Sequence, residues 1–238
     1  MNEHEMLNLR QAAGHVHLEP NELKHFAQRG EIDAQERGGD WYFEHRVLDE
    51  WAQRNILAST VRDLRHQHDA MMDEQRRARR EGWGVSELFR TDAMSLAIAA
   101  KAKAGIIRDM TDLAERSGLV YDVDGLFKEL VAREEAASTA IGEGIALLHP
   151  RFHDPYLFEE SFIAYGRSER PIFFGSTDGS GTRHFFLVCS TDHEMHLHIL
   201  ARLAMLAHGT DLIERLDAAE DAETVVAAVG ECEAEYRK

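Results

Sequence analysis

The sequence predicts an α/β protein: a mixed central sheet flanked by helices, preceded by a small helical module and a connecting helix. Three observations predict it. Residues 83–238 mix helical apolar periods with strand-like runs such as "SFIAYGR" (161–167) and "RHFFLVCS" (183–190). Residues 1–54 alternate short helical patterns with turn residues, and residues 55–82 are dense in charge and almost free of Gly and Pro.

The chain has 238 residues, enough for one large domain or a large and a small one. Hydrophobic residues make up 44% and charged residues 29%, in the range of soluble globular proteins. The formal net charge of −16 excludes broad, non-specific binding to nucleic acid or to an anionic membrane, though not a local basic patch. Cys189 and Cys232 are far apart and form no CxxC pair, so neither a zinc-thiolate site nor a disulfide framework is expected. No apolar run approaches the ~20 residues that span a bilayer, and the polar, acidic start is unlike a signal peptide. The expectation is a cytoplasmic protein without membrane insertion.

In the N-terminal module, Leu9 to Ala13 opens a short helix with Ala12 and Ala13 inward. Pro20 stands at a second helix start, where its missing N–H costs nothing. Leu23, Phe26 and Ala27 recur at helical spacing, and Gly30 supplies a left-handed cap. "RGGDWYF" reads as a hairpin turn entering an aromatic strand, and Leu48 and Trp51 close the unit on an amphipathic helix. Residues 6–52, through "LNLRQAA", "LKHFAQRGEI", the Gly38-Gly39 turn, Phe43 and "LDEW", resemble the excisionase/MerR-like winged helix-turn-helix domain. The resemblance implies a winged helix-turn-helix over 1–54 whose second helix and wing contact DNA, with Asn21, Lys24, Arg29 and Arg37 at the matching positions. Affinity for DNA comes largely from cations that displace condensed counterions. Glu19, Glu22, Glu31 and Glu36 crowd the same surface, so a protein-interaction module stands beside the DNA reading.

Residues 55–82 read as one charged linker helix. Ile56, Val61, Leu64, His68, Met71 and Gln75 form a broken stripe that could pair two subunits, or the helix is a solvated spacer. "RRARR", Arg76 to Arg80, either meets phosphate or complements the helix C-terminus.

The third segment, 83–238, carries the chemistry. "IGEGIALLHPRFHDP" (141–155) turns on glycines, runs apolar and stops at His149, a nucleophile or a loop histidine near the surface. Three linked stretches settle its family resemblance: "LVAREEAASTAIGEGIALLHPR", "FIAYGRSERPIFFGSTDGSGTRHFFLVCS" and "MHLHILARLAMLA". From Val85 to Val229 they resemble, in order and spacing, the IIA domain of the phosphoenolpyruvate:sugar phosphotransferase system, of the mannitol/fructose type and in particular the nitrogen-regulatory IIA proteins. The resemblance implies phosphorylation of His149, a second active-site histidine at His196 and a supporting arginine at Arg133, the three meeting in a shallow cleft. It implies a phosphocarrier protein of the HPr type as donor. A neutral imidazole is a competent nucleophile near pH 7 and forms a labile P–N bond. Phosphoryl transfer is then mainly positioning and electrostatics, for which a guanidinium fork and a helix N-terminus with free N–H groups are suited.

This sequence departs from the family around the histidine, with Leu148 where proline is usual and Pro150 where a small residue is usual. Pro150 removes a backbone N–H, and Arg151 is the cation that compensates as a phosphate-supporting residue. No cofactor is expected, and no metal: His193, His196 and His198 lie near one another in sequence, but His196 and His198 point to different faces of a helix. His15, His17, His66 and His68 are expected at the surface. "TDGSG" (177–181) is expected to be a hairpin turn, "GECEAEYRK" (230–238) the frayed end of a last helix, and Leu197, Leu200, Leu203 and Ala204 core. Two functions follow: a regulatory phosphocarrier, or a DNA-binding transcription regulator whose IIA-like domain senses or dimerises without transfer.

Overall fold

A computed structural model describes residues 6–16, 18–58, 84–151, 157–176 and 178–236 of the chain. It divides into two units, Met1–Glu81 and Gly82–Lys238, each with its own interior.

In the first unit, β1 (Met6–Asn8) leads directly into α1 (Leu9–His15). Asn8 caps this helix: its side chain accepts from Arg10 and Gln11 N–H, while the Gln11 side chain reaches back to Asn8 N–H. Ala12 and Ala13 face inward as the spacing predicts. α2 (Pro20–Gln28) begins at Pro20 and buries Leu23 and Ala27. Gly30 follows with φ 72°, the left-handed conformation that ends a helix at no steric cost in glycine. β2 (Gln35–Arg37) and β3 (Asp40–Glu44) form an antiparallel hairpin around Gly38 and Gly39, both at positive φ. The three strands lie in the order β1-β3-β2, and α3 (His45–Ala58) closes the unit. Phe43 and Leu48 are fully buried and Trp51 nearly so. His15 is not a surface residue: it is partly buried, with Nε2 2.6 Å from Asp49 Oδ1. The helix expected over 55–82 enters the description only through Asn55 to Ala58, the end of α3; the rest, with the stripe beyond Ile56 and the arginine cluster, lies outside the described residues, as do His17, His66 and His68.

The second unit opens with a 3-10 turn (Val85–Leu88) and β4 (Phe89–Ile98). Then come α4 (Lys103–Arg116), α5 (Val123–Ala136), β5 (Ala140–Gly142), β6 (Ile145–Leu148), β7 (Phe162–Ile172) and β8 (Thr182–Cys189). α6 (His193–Gly209), α7 (Leu212–Ala218) and α8 (Ala222–Tyr236) complete it. The sheet order is β4-β7-β8-β6-β5. β4·β7 and β6·β8 are parallel, β7·β8 and β5·β6 antiparallel, so the sheet is mixed as predicted.

Central strands buried on both faces read as unbroken apolar runs rather than alternating ones. β8 shows this: Phe185, Leu187 and Cys189 join the core with Ile106, Met110 and Leu130 of α4 and α5. Phe186 points the other way, packing its ring 5.2 Å from that of Tyr165 and 6.0 Å from that of Phe89. α6 and α8 cover that second face, and Leu197, Leu200, Leu203 and Ala204 are buried core. Burial pushes the Cys189 thiol up, so it stays protonated and apolar.

Of two further expectations, one holds and one needs correction. The "TDGSG" stretch lies in the hairpin connection between antiparallel β7 and β8, residues 173–181, where Gly179 N–H closes a turn on Ser176 O; Thr177 lies outside the described residues. Asp178 organises it, accepting from Ser180 N–H and Ser176 Oγ–H, and these bonds hold its carboxyl well below the usual range. The expected fraying of the last helix is wrong. α8 continues to Tyr236, with Cys232 and Glu233 buried. The Glu233 carboxylate accepts from Val85 N–H at 2.9 Å, Ser86 N–H at 3.2 Å, Ser86 Oγ–H at 2.8 Å and Arg202 Nε–H at 3.4 Å. A buried charge so fully paired ties the last helix to the first turn of the unit.

Candidate phosphoryl-acceptor site

Each site residue stands at the end of a helix or strand. Arg133 stands in the last turn of α5, which Ala137 ends in extended backbone. The chain then forms β5 and reverses through Gly142, Glu143 and Gly144, all at positive φ (93°, 51° and 78°). Two glycines make that reversal cheap, as the sequence pattern suggests. β6 follows, parallel to β8 with Leu148 beside Leu187, and His149 is its next residue. β8 in turn feeds α6, whose first turn holds His196. His149 and His196 therefore arrive at the carboxyl ends of two neighbouring parallel strands, the end where open α/β sheets place their sites.

The structure brings all three predicted residues together. Arg133 Nε donates to His149 Nε2 at 2.9 Å, and Arg133 Nη1 donates to Ala137 O at 2.8 Å. His149 Nδ1 lies 2.8 Å from Leu147 O. The His149 and His196 rings meet edge to face, centroids 5.1 Å apart. A carbonyl only accepts, so Nδ1 carries the proton; a guanidinium only donates, so Nε2 presents its lone pair. One neutral tautomer satisfies both contacts. Burial, and then the neighbouring Arg133 and His196, hold the His149 pKa well below its ordinary value, although the Leu147 bond works the other way.

The expectation of a shallow cleft is corrected. His149 is 0% exposed, His196 4% and Arg133 5%. Every residue from Ile145 to Pro150 is buried, because β6 is an inner strand of the sheet. The start of α6 also differs from the expected open N-terminus. Asp192 caps it, accepting from Met195 N–H at 3.0 Å, and its carbonyl takes His196 N–H at 2.9 Å. Those two N–H groups are therefore engaged within the helix start. Arg151 is half-buried, two residues beyond His149. His193 and His198 sit on α6, and His198 is buried.

The four DNA candidates lie in the other unit. Asn21 is exposed and Lys24 half-buried on α2; Arg29 ends α2, and Arg37 lies exposed on β2. Arg29 Nε is 2.6 Å from Glu31 Oε1, and its guanidinium lies 5.0 Å from the centre of the Phe26 ring. Arg37 donates to Gln35 Oε1.

Sequence reasoning missed the groups behind the three: the Leu147 carbonyl, the Ala137 carbonyl and the Glu134 carboxylate. Only the "RE" pair at 133–134 signalled one of them.

The model of the phosphoenolpyruvate-dependent sugar phosphotransferase system EIIA 2 family matches residues 87–231. The chain belongs to this family. A nitrogen regulatory protein of Bradyrhizobium diazoefficiens is 30% identical over 144 residues, covering 59% of this chain and 91% of that protein. The fructose-specific EIIABC component of Bacillus subtilis is 28% identical over 144 residues, which is 60% of this chain but only 22% of that protein. This chain thus spans about a fifth of that multidomain relative. The crystal structure of IIA-Ntr from Neisseria meningitidis superposes with a TM-score of 0.55 at 24% identity, covering 61% of this chain and 98% of that one, and so shares the fold. Among the described residues, no helix is long and apolar enough to cross a membrane.

Proposed function

We propose that this family member is a regulatory phosphocarrier in the cytoplasm that accepts a phosphoryl group on His149 Nε2 from a phosphohistidine protein of the HPr type. The observation that carries the reading is the pair of contacts on the His149 ring, Nδ1 against the Leu147 carbonyl and Nε2 facing a guanidinium donor, which one neutral tautomer satisfies. In the transfer, the Nε2 lone pair attacks phosphorus as the donor's P–N bond breaks, and the donor imidazole recovers the bonding pair. Positive charge then develops on the His149 ring, and the Nδ1–H bond to Leu147 O stabilises it. No water is consumed.

Arg133 occupies the Nε2 lone pair, so it must yield that contact before attack. The same fork is then beside the phosphoryl oxygens, where a loose transition state spreads its charge. His196, in edge contact with His149, is the second donor to those oxygens, and Arg151 is a further cation near them. Because His149 is buried, the donor must also displace whatever covers it. Incubation with phosphoenolpyruvate, enzyme I and HPr should add one acid-labile phosphate to the intact mass. His149→Ala should add none; label persisting in that variant, or none in wild type, defeats the reading.

We read the remainder as a winged helix-turn-helix (1–54), a linker helix (55–82) through which two subunits could pair, and the IIA domain (83–238). The observation favouring the first of these is the order helix, helix, two-stranded hairpin, helix, with Asn21, Lys24, Arg29 and Arg37 along α2 and the hairpin. The second reading, a transcription regulator with a non-transferring IIA domain, rests on this unit. Retardation of DNA from upstream of its own gene, weakening steeply with salt, supports it; binding absent or flat with salt removes it.

A further inference from the structure

We infer that Glu134 is a positioning residue for the phosphoryl acceptor: its carboxylate holds the α5–β5 turn, and through that turn both ring nitrogens of His149. The inference rests on the phosphocarrier reading, but its test does not require transfer to occur.

Glu134 is next to Arg133 in sequence, and its side chain binds different partners. Its side chain is only 3% exposed, and both oxygens are engaged. Oε1 lies 2.7 Å from Lys103 Nζ, an ammonium that reaches in from the surface of α4. Oε2 accepts twice from one residue, from Thr139 N–H at 2.9 Å and Thr139 Oγ–H at 2.7 Å. A buried carboxylate is stable only when paired and hydrogen-bonded in this way, so the arrangement fixes residues 134–139 as one rigid turn.

Two connections leave that turn, and both end on His149. The Ala137 carbonyl accepts from Arg133 Nη1, which orients the guanidinium whose Nε meets His149 Nε2. The Thr139 carbonyl accepts from Leu147 N–H at 3.0 Å. The carbonyl of that same Leu147 holds His149 Nδ1. A shift of the turn therefore moves the group on each nitrogen at once. Groups that orient a ligating or reacting imidazole through its other nitrogen select its tautomer, and small misplacements in such shells cost large factors in rate. Lys103 contributes by neutralising the buried charge, with its ammonium also lying 4.9 Å from the centre of the Phe174 ring.

The test compares the full-length wild type with Glu134→Ala and Glu134→Gln. The readouts are the imidazole 15N–1H correlation of His149, assigned by its loss in His149→Ala, and the rate of phosphoryl uptake from phosphorylated HPr. Wild type should show one tautomer, protonated on Nδ1. Glu134→Ala should populate the second tautomer or the imidazolium, and slow uptake about tenfold or more. In Glu134→Gln one amide oxygen can still receive both Thr139 donors, but N–H now faces Lys103, so the same changes should appear at smaller size. If Glu134→Ala does not fold, Glu134→Gln decides alone. An anchor for the fold only would lower the melting temperature and leave the His149 pattern as in wild type; that pattern unchanged in the folded variants overturns the inference. Should wild type take up no phosphate, the phosphocarrier reading falls while the tautomer comparison still stands.

Discussion

Arg133 Nε donates its hydrogen to His149 Nε2 at 2.9 Å, the atom that attacks phosphorus in the proposed transfer. The guanidinium therefore covers that nitrogen at rest, and in the proposed transfer it lies beside the phosphoryl group once displaced. Nδ1 is committed to Leu147 O, so the ring cannot turn over to offer its other nitrogen without breaking a buried hydrogen bond.

Replacing Arg133 tests that double role. Arg133→Ala should slow phosphoryl uptake tenfold or more, about 1.4 kcal/mol or above in the barrier. Arg133→Lys should not restore it. One ammonium cannot hold the Ala137 carbonyl through one nitrogen and Nε2 through another, as the fork does. Uptake by Arg133→Lys at the wild-type rate in a quenched labelling series would refute the geometry.

His149 should resist protonation better than a free histidine. Its pKa is lowered by burial and by Arg133, so the neutral nucleophile persists below pH 6.5 in the folded protein. The unfolded chain takes up the proton first; the linked stability is complete above pH 6.5 and is lost as pH falls towards the folded value. An NMR titration should show the His149 ring still neutral at pH 6. Half-protonation at or above pH 6.5 contradicts it.

A second buried histidine gives a sharper pH signature, away from the acceptor. With a carboxylate, which only accepts, beside His184 Nε2, the ring's Nδ1 is the acceptor and takes the Tyr165 hydroxyl hydrogen at 2.8 Å; burial raises the Tyr165 pKa. His184 Nε2 then carries the hydrogen and faces Asp217 Oδ1 at 3.4 Å. Burial lowers His184 to about 4 despite the nearby Asp217. Stability should therefore fall as pH drops from about 6.5 towards 4, by on the order of 2–3 kcal/mol from this residue. Urea midpoints across that range should show the slope, and His184→Gln should be less stable at pH 7 and flatten it. An equal slope in the variant would assign the acid sensitivity elsewhere.

Gly166 on β7 is a packing requirement. A Cβ there would run into Ile98 and the Met110 sulfur. Gly166→Ala should cost about 1–3 kcal/mol through overpacking. Thermal unfolding should show a clear drop in Tm; an unchanged Tm would mean that α4 can shift away from the sheet.

Much of the fold was legible because it is written in local chemistry. The start of α2 at Pro20, the left-handed Gly30, the Gly38-Gly39 hairpin and the Gly142/Gly144 reversal each follow from what proline and glycine permit. The apolar run Phe185–Cys189 marked a strand buried on two faces. Two failures mark the limit, one non-local and one local. "GECEAEYRK" looks like a polar tail until Glu233 is seen beside Val85, 148 positions away. The α6 N-terminus looks open until Asp192 is seen to cap it.

By itself, the sequence determined which residue types were present and in what order: an Arg-Glu pair at a helix end, glycines before a short strand, a histidine at its end and another in the next long helix. Those patterns identify the family, because motif spacing reflects backbone path. Only the tertiary structure decided that His149 is buried, which nitrogen carries its proton and that Glu134 stands behind both. Those properties depend on desolvation and on partners supplied by other strands. They arose when β6 paired with β8 and the α5–β5 turn folded back against Leu147.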